Sequence, residues 1–119
     1  MKYSSRELLK PENLKWLLVD FDKTICVGAG DIDYQPGEPM EGVAEAFAEL
    51  REAGYKIKVF TARPWSDAIV VENYCKDYGI PINGVICGKP LGLLIIDDKG
   101  FHLTDWRKDI KNIKKRLRG

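Results

Sequence analysis

The stretch WLLVDFDKTI, from Trp16 to Ile25, decides the fold, because an apolar strand ends there in two carboxylates. The residues from Trp16 to Val19 are continuously apolar, which is typical of a parallel strand that is covered on both faces. Residues two apart in an extended segment face the same side. Asp20 and Asp22 are therefore predicted to share one cavity, while Phe21 turns back toward apolar packing.

Strands and helices alternate along the rest of the chain. After the first strand, further strands are predicted from Lys56 to Phe60, at Val85 and Ile86, and from Leu93 to Ile96. Helices are predicted from Met40 to Ala53, closed by Gly54, and from Asp67 to Tyr78, capped by Ser66 and closed by Gly79. A short helix capped by Ser4 comes first in the chain, and a last helix begins near Thr104 with Trp106, Ile110, Ile113 and Leu117 on one stripe. This alternation predicts a three-layer α/β/α sandwich with a mostly parallel, Rossmann-like sheet. With no internal repeat or linker, we expect a single domain over residues 1–119.

Polar side chains follow the predicted strands at their carboxyl ends, where parallel α/β sheets bind ligands. They are Asp20 with Asp22, Thr61, Lys89 in the loop before the fourth strand, and Asp97 with Asp98. Several carboxylates on one rim are costly unless they are paired, so a divalent cation is expected, and all-oxygen ligation points to Mg²⁺. A lysine, a hydroxyl and a metal around one site suit a phosphoryl group. One carboxylate would attack phosphorus, and the other would protonate the departing oxygen and then activate water.

Four short motifs resemble those of the haloacid dehalogenase (HAD) superfamily. DFDKT resembles its first motif, KVFTA the second, GKP the third and IIDD the fourth, in the family order over Leu17 to Asp98. The segment YGIPINGVICGKPLGLLIIDDKG also resembles small capless phosphatases of the capsule-biosynthesis and phage types. The resemblance implies a magnesium-dependent phosphatase that forms an aspartyl-phosphate.

The resemblance also implies a role for each site residue. Asp20 would be the nucleophile, and Asp22 the general acid and base, with its main-chain carbonyl touching Mg²⁺. Thr61 and Lys89 would hold the phosphoryl oxygens. Asp98 would be the main acidic metal ligand after Asp20, with Asp97 assisting directly or through water.

Two positions depart from the family pattern, and one expected segment is missing. Lys23 stands where the family often has glycine, and Leu93 where close relatives often carry aspartate. The intervals between the motifs leave no room for a cap domain. The site is therefore expected to be open, which suits a large substrate or closure by a neighbouring subunit. The loop from Val27 to Pro36, which contains Asp31, Asp33 and Tyr34, is the candidate flap over it.

Each site residue also has a structural interpretation. Asp20 and Asp22 would otherwise be a helix cap or a solvated strand end, Thr61 the cap of the following turn, Lys89 an ordinary surface lysine, and Asp97 with Asp98 part of a turn. Outside this set, the sequence favours packing for Cys26 and a structural or surface role for His102. Trp65 is either core or a substrate platform.

Two other functions compete with a phosphatase. A receiver-type phospho-acceptor domain also has about this length and uses acidic residues, a threonine and a lysine around Mg²⁺. In a receiver the acidic pair comes first and the lysine last, whereas here the second acidic pair follows Lys89, which favours the phosphatase. The third hypothesis is a catalytically weak phosphate-binding module with the same fold.

Composition limits the partners and the compartment. The chain has a formal net charge of +1, 45% apolar residues and three cysteines, with no C-x-x-C pair. These features predict a soluble protein of the reducing cytoplasm, without membrane spans, disulfides or a zinc site. A phosphorylated substrate, small or large, is the expected partner. The basic residues from Arg107 onward are explained as the outer face of a helix, so nucleic acid is a disfavoured partner.

Overall fold

The computed structural model describes residues 15–28, 35–90, 92 and 99–118. Within these ranges the chain forms three strands and three helices. The strands are β1 (Trp16–Val19), β2 (Lys56–Phe60) and β3 (Gly84–Ile86), and the helices are α1 (Val43–Glu52), α2 (Ala68–Asp77) and α3 (Trp106–Leu117). A 3₁₀ turn at Trp65–Asp67 precedes α2.

The three strands form a parallel sheet in the order β1-β2-β3. Leu17 lies opposite Ile57, and Val59 lies opposite both Val19 and Val85. Connections between parallel strands are right-handed, and both connections here run to the next strand in the same direction. Helices α1 and α2 therefore lie on the same face of the sheet. The expected parallel α/β fold is confirmed, and the described residues contain no cap domain.

The hydrophobic core lies between that face and the helices. Ile57 and Val59 are fully buried in one cluster with Val43 and Phe47 of α1, Val71 and Cys75 of α2, and Trp106 and Ile110 of α3. Phe47 and Trp106 meet edge to face, with ring centroids 5.3 Å apart. Ile113 and Leu117 pack against the same cluster, so the predicted stripe of α3 is confirmed.

The opposite face of the sheet differs from the expectation for β1. Leu18 is 57% exposed, although the continuous apolar run predicts a strand covered on both faces. On the same face, the ammonium groups of Lys56 and Lys58 lie 5.1 and 4.3 Å from the centroid of the Trp16 ring. The described helices thus form one layer, and the second helical layer of a sandwich is not among the described residues.

Most element bounds follow the sequence patterns. The bounds of β1 and β2 are as predicted, and Gly54 and Gly79 follow their helices with φ values of 98° and 66°, in the left-handed region that glycine tolerates. Helix α1 begins at Val43 rather than at Met40, because Gly42 has a φ of 82°. Ser66 lies inside the 3₁₀ turn, and no side-chain hydrogen bond caps that turn or α2, so its predicted cap is wrong.

Several predictions fall outside the described residues. These are the helix capped by Ser4, the strand from Leu93 to Ile96 and the acidic pair of Asp97 and Asp98, together with Asp31, Asp33 and Tyr34 of the candidate flap. Among the described helices, none has the length and apolar character needed to cross a membrane.

Candidate functional site

A tight turn follows β1 and carries the first acidic pair. The carbonyl of Phe21 accepts hydrogen bonds from the backbone N–H groups of Thr24, Ile25 and Cys26, at 3.2, 2.8 and 3.2 Å. Phe21 itself is fully buried, as predicted. Lys23 has a φ of 65°, a left-handed backbone conformation that residues other than glycine rarely adopt. A glycine at this position would adopt it without strain.

The chain after this turn pairs with itself at the base of the candidate flap. Val27 donates a backbone hydrogen bond to Glu38, and Gly37 donates one back to Val27. Met40 donates to Ile25, which extends the pairing toward α1. The turn is also anchored from the end of the chain, because Trp106 Nε1 donates to the carbonyl of Thr24 at 2.8 Å.

Asp20 and Lys89 meet at the carboxyl end of the sheet. Lys89 Nζ lies 3.8 Å from Asp20 Oδ1, with the two side chains 19% and 40% exposed. Lys89 is therefore not an ordinary surface lysine. Burial raises the pKa of Asp20 above its usual value, and the negative charge of Asp22 adds to this rise, while the nearby Lys89 ammonium opposes it.

Thr61 lies at the end of β2 and connects to the same loop. Its backbone N–H donates to Ile86, and its carbonyl accepts from the backbone N–H of Lys89 at 2.9 Å. Its buried hydroxyl accepts a hydrogen bond from the backbone N–H of Arg63 at 3.2 Å. This is the turn cap of the structural interpretation, and the hydroxyl proton is still available to donate to an acceptor.

Arg63 is a site residue that the sequence analysis missed. Its Nε and Nη2 donate to the two carboxylate oxygens of Asp22, each at 2.9 Å, and its Nη1 donates to Asp67 at 3.3 Å. The guanidinium also lies 5.4 Å from the centroid of the Phe21 ring. Arg63 and Asp22 are 41 positions apart in the sequence. The only local sign that Arg63 belongs to the site is its position two residues after Thr61.

The main chain of Arg63 joins the second motif to the third. Its N–H reaches the Thr61 hydroxyl, and its carbonyl accepts from the N–H of Gly88 at 2.9 Å. Gly88 has a φ of 77° and immediately precedes Lys89. The segments that carry Asp20, Asp22, Thr61 and Lys89 are thus brought together at one edge of the sheet.

Cys26 lies close to this edge but is a buried packing residue. It is fully buried, and its Sγ lies 3.7 Å from the Phe21 carbonyl. Burial raises the pKa of the Cys26 thiol to about 11, and the Asp22 carboxylate contributes to the rise. A thiol in this state is a poor nucleophile near neutral pH, which agrees with the sequence interpretation.

Among the residues that the structure describes, Trp65 lies exposed beside this edge. Trp65 is 61% exposed, so it does not belong to the core, and its indole faces Gly88. Two shallow surface depressions lie elsewhere, one between Glu72 and Gly84 and the other between Gly42 and Ile110. Neither is lined by Asp20, Thr61 or Lys89.

The available metal ligands are incomplete in the described part of the chain. Within residues 15–28, 35–90, 92 and 99–118, no group of three or more His, Cys, Asp and Glu side chains is arranged to hold a metal ion. Asp20 has the more exposed carboxylate of the first pair, whereas both oxygens of Asp22 are engaged by Arg63. Asp97 and Asp98, which were predicted to complete the set, lie outside the described residues.

Comparison with solved structures supports the fold. A protein from Vibrio cholerae is similar to this chain with a TM-score of 0.67 and 21% sequence identity, over 86% of this chain and 98% of the other. A conserved protein from Bacteroides thetaiotaomicron is similar with a TM-score of 0.63 and 20% identity, over 85% and 90% of the two chains. No protein-family model and no curated protein matches the sequence. At this level of identity, the comparison establishes a shared α/β fold.

Proposed function

We propose that this protein is a magnesium-dependent phosphomonoester hydrolase that works through an aspartyl-phosphate on Asp20. The observation that carries the proposal is the 3.8 Å approach of Lys89 Nζ to Asp20 Oδ1 at the carboxyl end of the parallel sheet. A carboxylate beside a fixed cation, with the Thr61 segment at the same edge, suits the binding and transfer of a phosphoryl group. The order of the four HAD-like motifs supports the same chemistry.

The proposed reaction has two steps, and each conserves atoms and charge. In the first, an oxygen of Asp20 forms a bond to phosphorus, the bond to the ester oxygen breaks, and Asp22 gives its proton to that oxygen. An alcohol leaves, and Asp20 carries the phosphoryl group. In the second step, water gives a proton to Asp22 and the water oxygen bonds to phosphorus, while the bond between the Asp20 oxygen and phosphorus breaks. Inorganic phosphate leaves and the Asp20 carboxylate is restored.

A divalent cation suits the donor chemistry around Asp20. Burial raises the pKa of this carboxyl, which reflects the cost of holding a negative charge there, and a bound cation offsets such a cost. The proposed ligands are Asp20, Asp98, the main-chain carbonyl of Asp22 and, directly or through water, Asp97. When bound, Mg²⁺ would neutralise charge on the phosphoryl oxygens.

The substrate is proposed to be a phosphomonoester that is small, or large enough to use the open edge. No cap domain is present in the described residues, so nothing there encloses the part of the substrate beyond the phosphate. An oligomer in which a neighbouring subunit closes the edge is a further part of the proposal. Metabolite panels tested for phosphate release would identify the substrate.

Replacement of Asp20 by asparagine tests the assignment of the nucleophile. We expect Asp20→Asn to lower turnover of p-nitrophenyl phosphate by at least about 10³-fold, because the amide oxygen is a poor nucleophile. The matched control is Asp77→Asn, which makes the same change at an exposed residue at the end of α2. Phosphate release is measured with Mg²⁺ and with EDTA. Equal rates in Asp20→Asn and wild type would overturn the proposal.

A catalytically weak phosphate-binding module is the second candidate. It is favoured by one observation, the engagement of both Asp22 oxygens by Arg63, since Asp22 must exchange a proton for efficient turnover. Under this alternative the wild-type protein would bind inorganic phosphate in calorimetric titration yet release none from a panel of esters. Turnover that depends on Mg²⁺ and on Asp20 would exclude it.

A further inference from the structure

A line of basic residues runs along the face of helix α3 that points away from the core. The apolar residues of this helix pack on the core, and positions three, four and three apart on the opposite face carry cations. This face is termed the basic stripe, and its residues are Lys108, Lys111, Lys115 and, directly after the helix, Arg118. All four are exposed, and at a rise of about 1.5 Å per residue they span about 15 Å.

Two other cations of α3 lie toward α1, and both have acidic partners. Arg107 Nη1 lies 2.8 Å from Glu41, and Lys114 Nζ lies 3.7 Å from Glu49. In the part of the chain that the structure describes, no carboxylate forms an ion pair with a residue of the basic stripe. One unpaired lysine on a surface is ordinary, but four cations in a line concentrate a positive potential.

The stability of the helix does not account for the whole basic stripe. Cations near the end of a helix interact favourably with its dipole, which explains Lys115 and Arg118. Lys108 lies in the first turn, where its backbone N–H donates to the side chain of Asp105 at 3.0 Å. A cation at that end opposes the dipole. The charge at the start of the stripe therefore suits a partner outside the helix.

An exposed aromatic ring accompanies the cations. The segment before α3 lies along the helix, because Arg116 Nη1 donates to the carbonyl of Gly100 at 2.7 Å. The next residue, Phe101, is 39% exposed. Proteins bind single-stranded nucleic acid through cations that follow its backbone and aromatic rings on which its bases stack. We infer that the basic stripe, with Phe101 near it, binds single-stranded nucleic acid.

Other polyanions fit this surface less well. A helix that binds an anionic membrane inserts an apolar face into the lipid, whereas the apolar face of α3 is packed on the core through Trp106 and Ile110. A duplex keeps its bases stacked on one another, so it offers no base to an aromatic ring. The inference goes beyond the proposed function and does not depend on it, because binding is measured without turnover.

The salt dependence of binding tests the inference on the wild-type protein. In fluorescence anisotropy with a labelled oligodeoxythymidine of about 20 nucleotides, we expect a Kd in the micromolar range at about 50 mM NaCl. The logarithm of the association constant should fall against the logarithm of the salt concentration with a slope of about −3. Each of four neutralised phosphates on a single strand contributes about −0.7 to this slope.

Neutralisation of the stripe should remove most of the binding. The combined variant Lys108→Gln, Lys111→Gln and Lys115→Gln should bind at least about 10-fold more weakly at about 50 mM NaCl, with a slope near about −0.7. Glutamine and lysine have similar helix propensities, so α3 should be kept. If circular dichroism shows a loss of fold, the single variants carry the test, and each should reduce the slope by about 0.7.

A matched control separates the stripe from the net charge of the protein. It removes the same charge from exposed residues outside α3, through Lys15→Gln, Lys56→Gln and Lys76→Gln. Its affinity should stay within about threefold of wild type, because salt screens distant charges.

A second pair of variants tests the aromatic ring. Phe101→Leu should weaken binding about fivefold and leave the slope unchanged, because base stacking releases no counterions. Tyr78→Leu, at an exposed ring after α2, should bind as wild type does.

Each contrary outcome overturns a defined part of the inference. Absence of wild-type binding at about 50 mM NaCl, or binding that salt does not weaken, overturns it as a whole. Equal affinities of the stripe variant and its control overturn the location. Tighter binding of a duplex of the same length, or of phosphatidylglycerol vesicles, overturns the choice of partner. A protein that hydrolyses phosphate esters but does not bind the oligonucleotide overturns this inference and leaves the proposed function intact.

Discussion

Among the residues that the structure describes, Lys23 is the one other than glycine with a left-handed backbone conformation. Its φ of 65° allows the chain to turn back after Asp22, and the stacked hydrogen bonds to the Phe21 carbonyl follow from that turn. The left-handed conformation brings the Cβ atom too close to the neighbouring carbonyl oxygen, at a cost of roughly 1–2 kcal/mol. The turn that presents Asp22 therefore stores strain that glycine would not.

A pair of substitutions at Lys23 isolates this strain. We expect Lys23→Gly to be more stable than Lys23→Ala by about 1 kcal/mol in urea unfolding, because both remove the long side chain and only alanine keeps Cβ. The same pair at Lys111, an exposed residue inside α3, should show the opposite order by about 1 kcal/mol. If the alanine variant were more stable than the glycine variant at both positions, the claim of backbone strain at Lys23 would be wrong.

Short-range patterns revealed one half of the candidate site and long-range pairing the other. Asp20 and Asp22 were found from their spacing after an apolar strand, and Thr61 and Lys89 from their places after the following strands. Arg63 was missed because an arginine acquires this role only through a carboxylate 41 positions away, and no local pattern encodes that pairing. The structure brings Asp20, Asp22, Thr61 and Lys89 to one edge of the sheet, but the roles of all the predicted site residues, including Asp97 and Asp98, stay predictions.

Two aspartate side chains at the start of helix α3 accept hydrogen bonds, one from a residue later in the chain and the other from residues earlier in it. Asp105 Oδ1 accepts from the N–H of Lys108 at 3.0 Å, while Asp109 Oδ2 accepts from the Thr104 N–H, the Thr104 hydroxyl and the Asp105 N–H. This reciprocal arrangement resembles a capping box, which satisfies backbone donors that the first turn leaves free. The hydrogen bonds from Thr104 and Asp105 hold the pKa of Asp109 below its usual value.

The lowered pKa of Asp109 predicts a stability that depends on pH. A carboxyl whose pKa is lower in the folded protein stabilises it above its ordinary pKa of 3.8, and this stability is lost as the pH falls through the folded value. Asp109→Asn should therefore lower the thermal midpoint at about pH 7 and have much less effect in strong acid. Asp77→Asn, at an exposed position in α2, is the control and should shift neither midpoint.

Element bounds were predictable where one residue type imposes them. Gly54 and Gly79 end their helices in left-handed conformations, and the apolar runs of β1 and β2 match the strands. The start of α2 was not predictable in this way, because Ser66 has the right chemistry for a helix cap yet lies within a 3₁₀ turn. A capping residue is defined by the backbone geometry around it, which the sequence specifies only in part.

At the scale of the molecule, one core serves all three described helices, and it encloses two cysteine thiols. Cys26 and Cys75 are both buried in it, and all three cysteines are free. Burial raises the pKa of Cys26 to about 11 and that of Cys75 to about 12, from an ordinary value of 9.0. Ionised thiolates would leave this core far less stable than neutral thiols.

Alkaline unfolding provides a measurement of that core. An acid whose pKa is raised on folding stabilises the protein fully below its unfolded value of 9.0, and this stability is lost as the pH rises through the folded value. We expect the free energy of unfolding of wild type to fall between about pH 8 and pH 11. The Cys75→Ala variant should have a lower free energy of unfolding than wild type at the lower pH, but this free energy should fall less than that of wild type over the interval. An equal loss in both proteins would contradict the assignment.

The arrangement of layers was the feature least accessible to sequence. A continuous apolar strand predicts cover on both faces, yet Leu18 is largely exposed and lysines flank Trp16 on that face. The parallel order of the strands follows from their alternation with helices. Which face each helix covers depends on crossovers over tens of residues, and hydrophobic periodicity does not report them.

The hydrogen bond from Trp106 to Thr24 has a consequence for how the protein is made. The turn that carries Asp22 is synthesised before its anchor, which is the first residue of α3 and follows more than 80 positions later in the chain. A nascent chain that stops short of Trp106 lacks this anchor and also the edge-to-face contact with Phe47. The turn that carries Asp22 thus gains its anchor only after the residues of all three described strands have been synthesised, and a product truncated between β3 and Trp106 would keep those strands but lack the anchor.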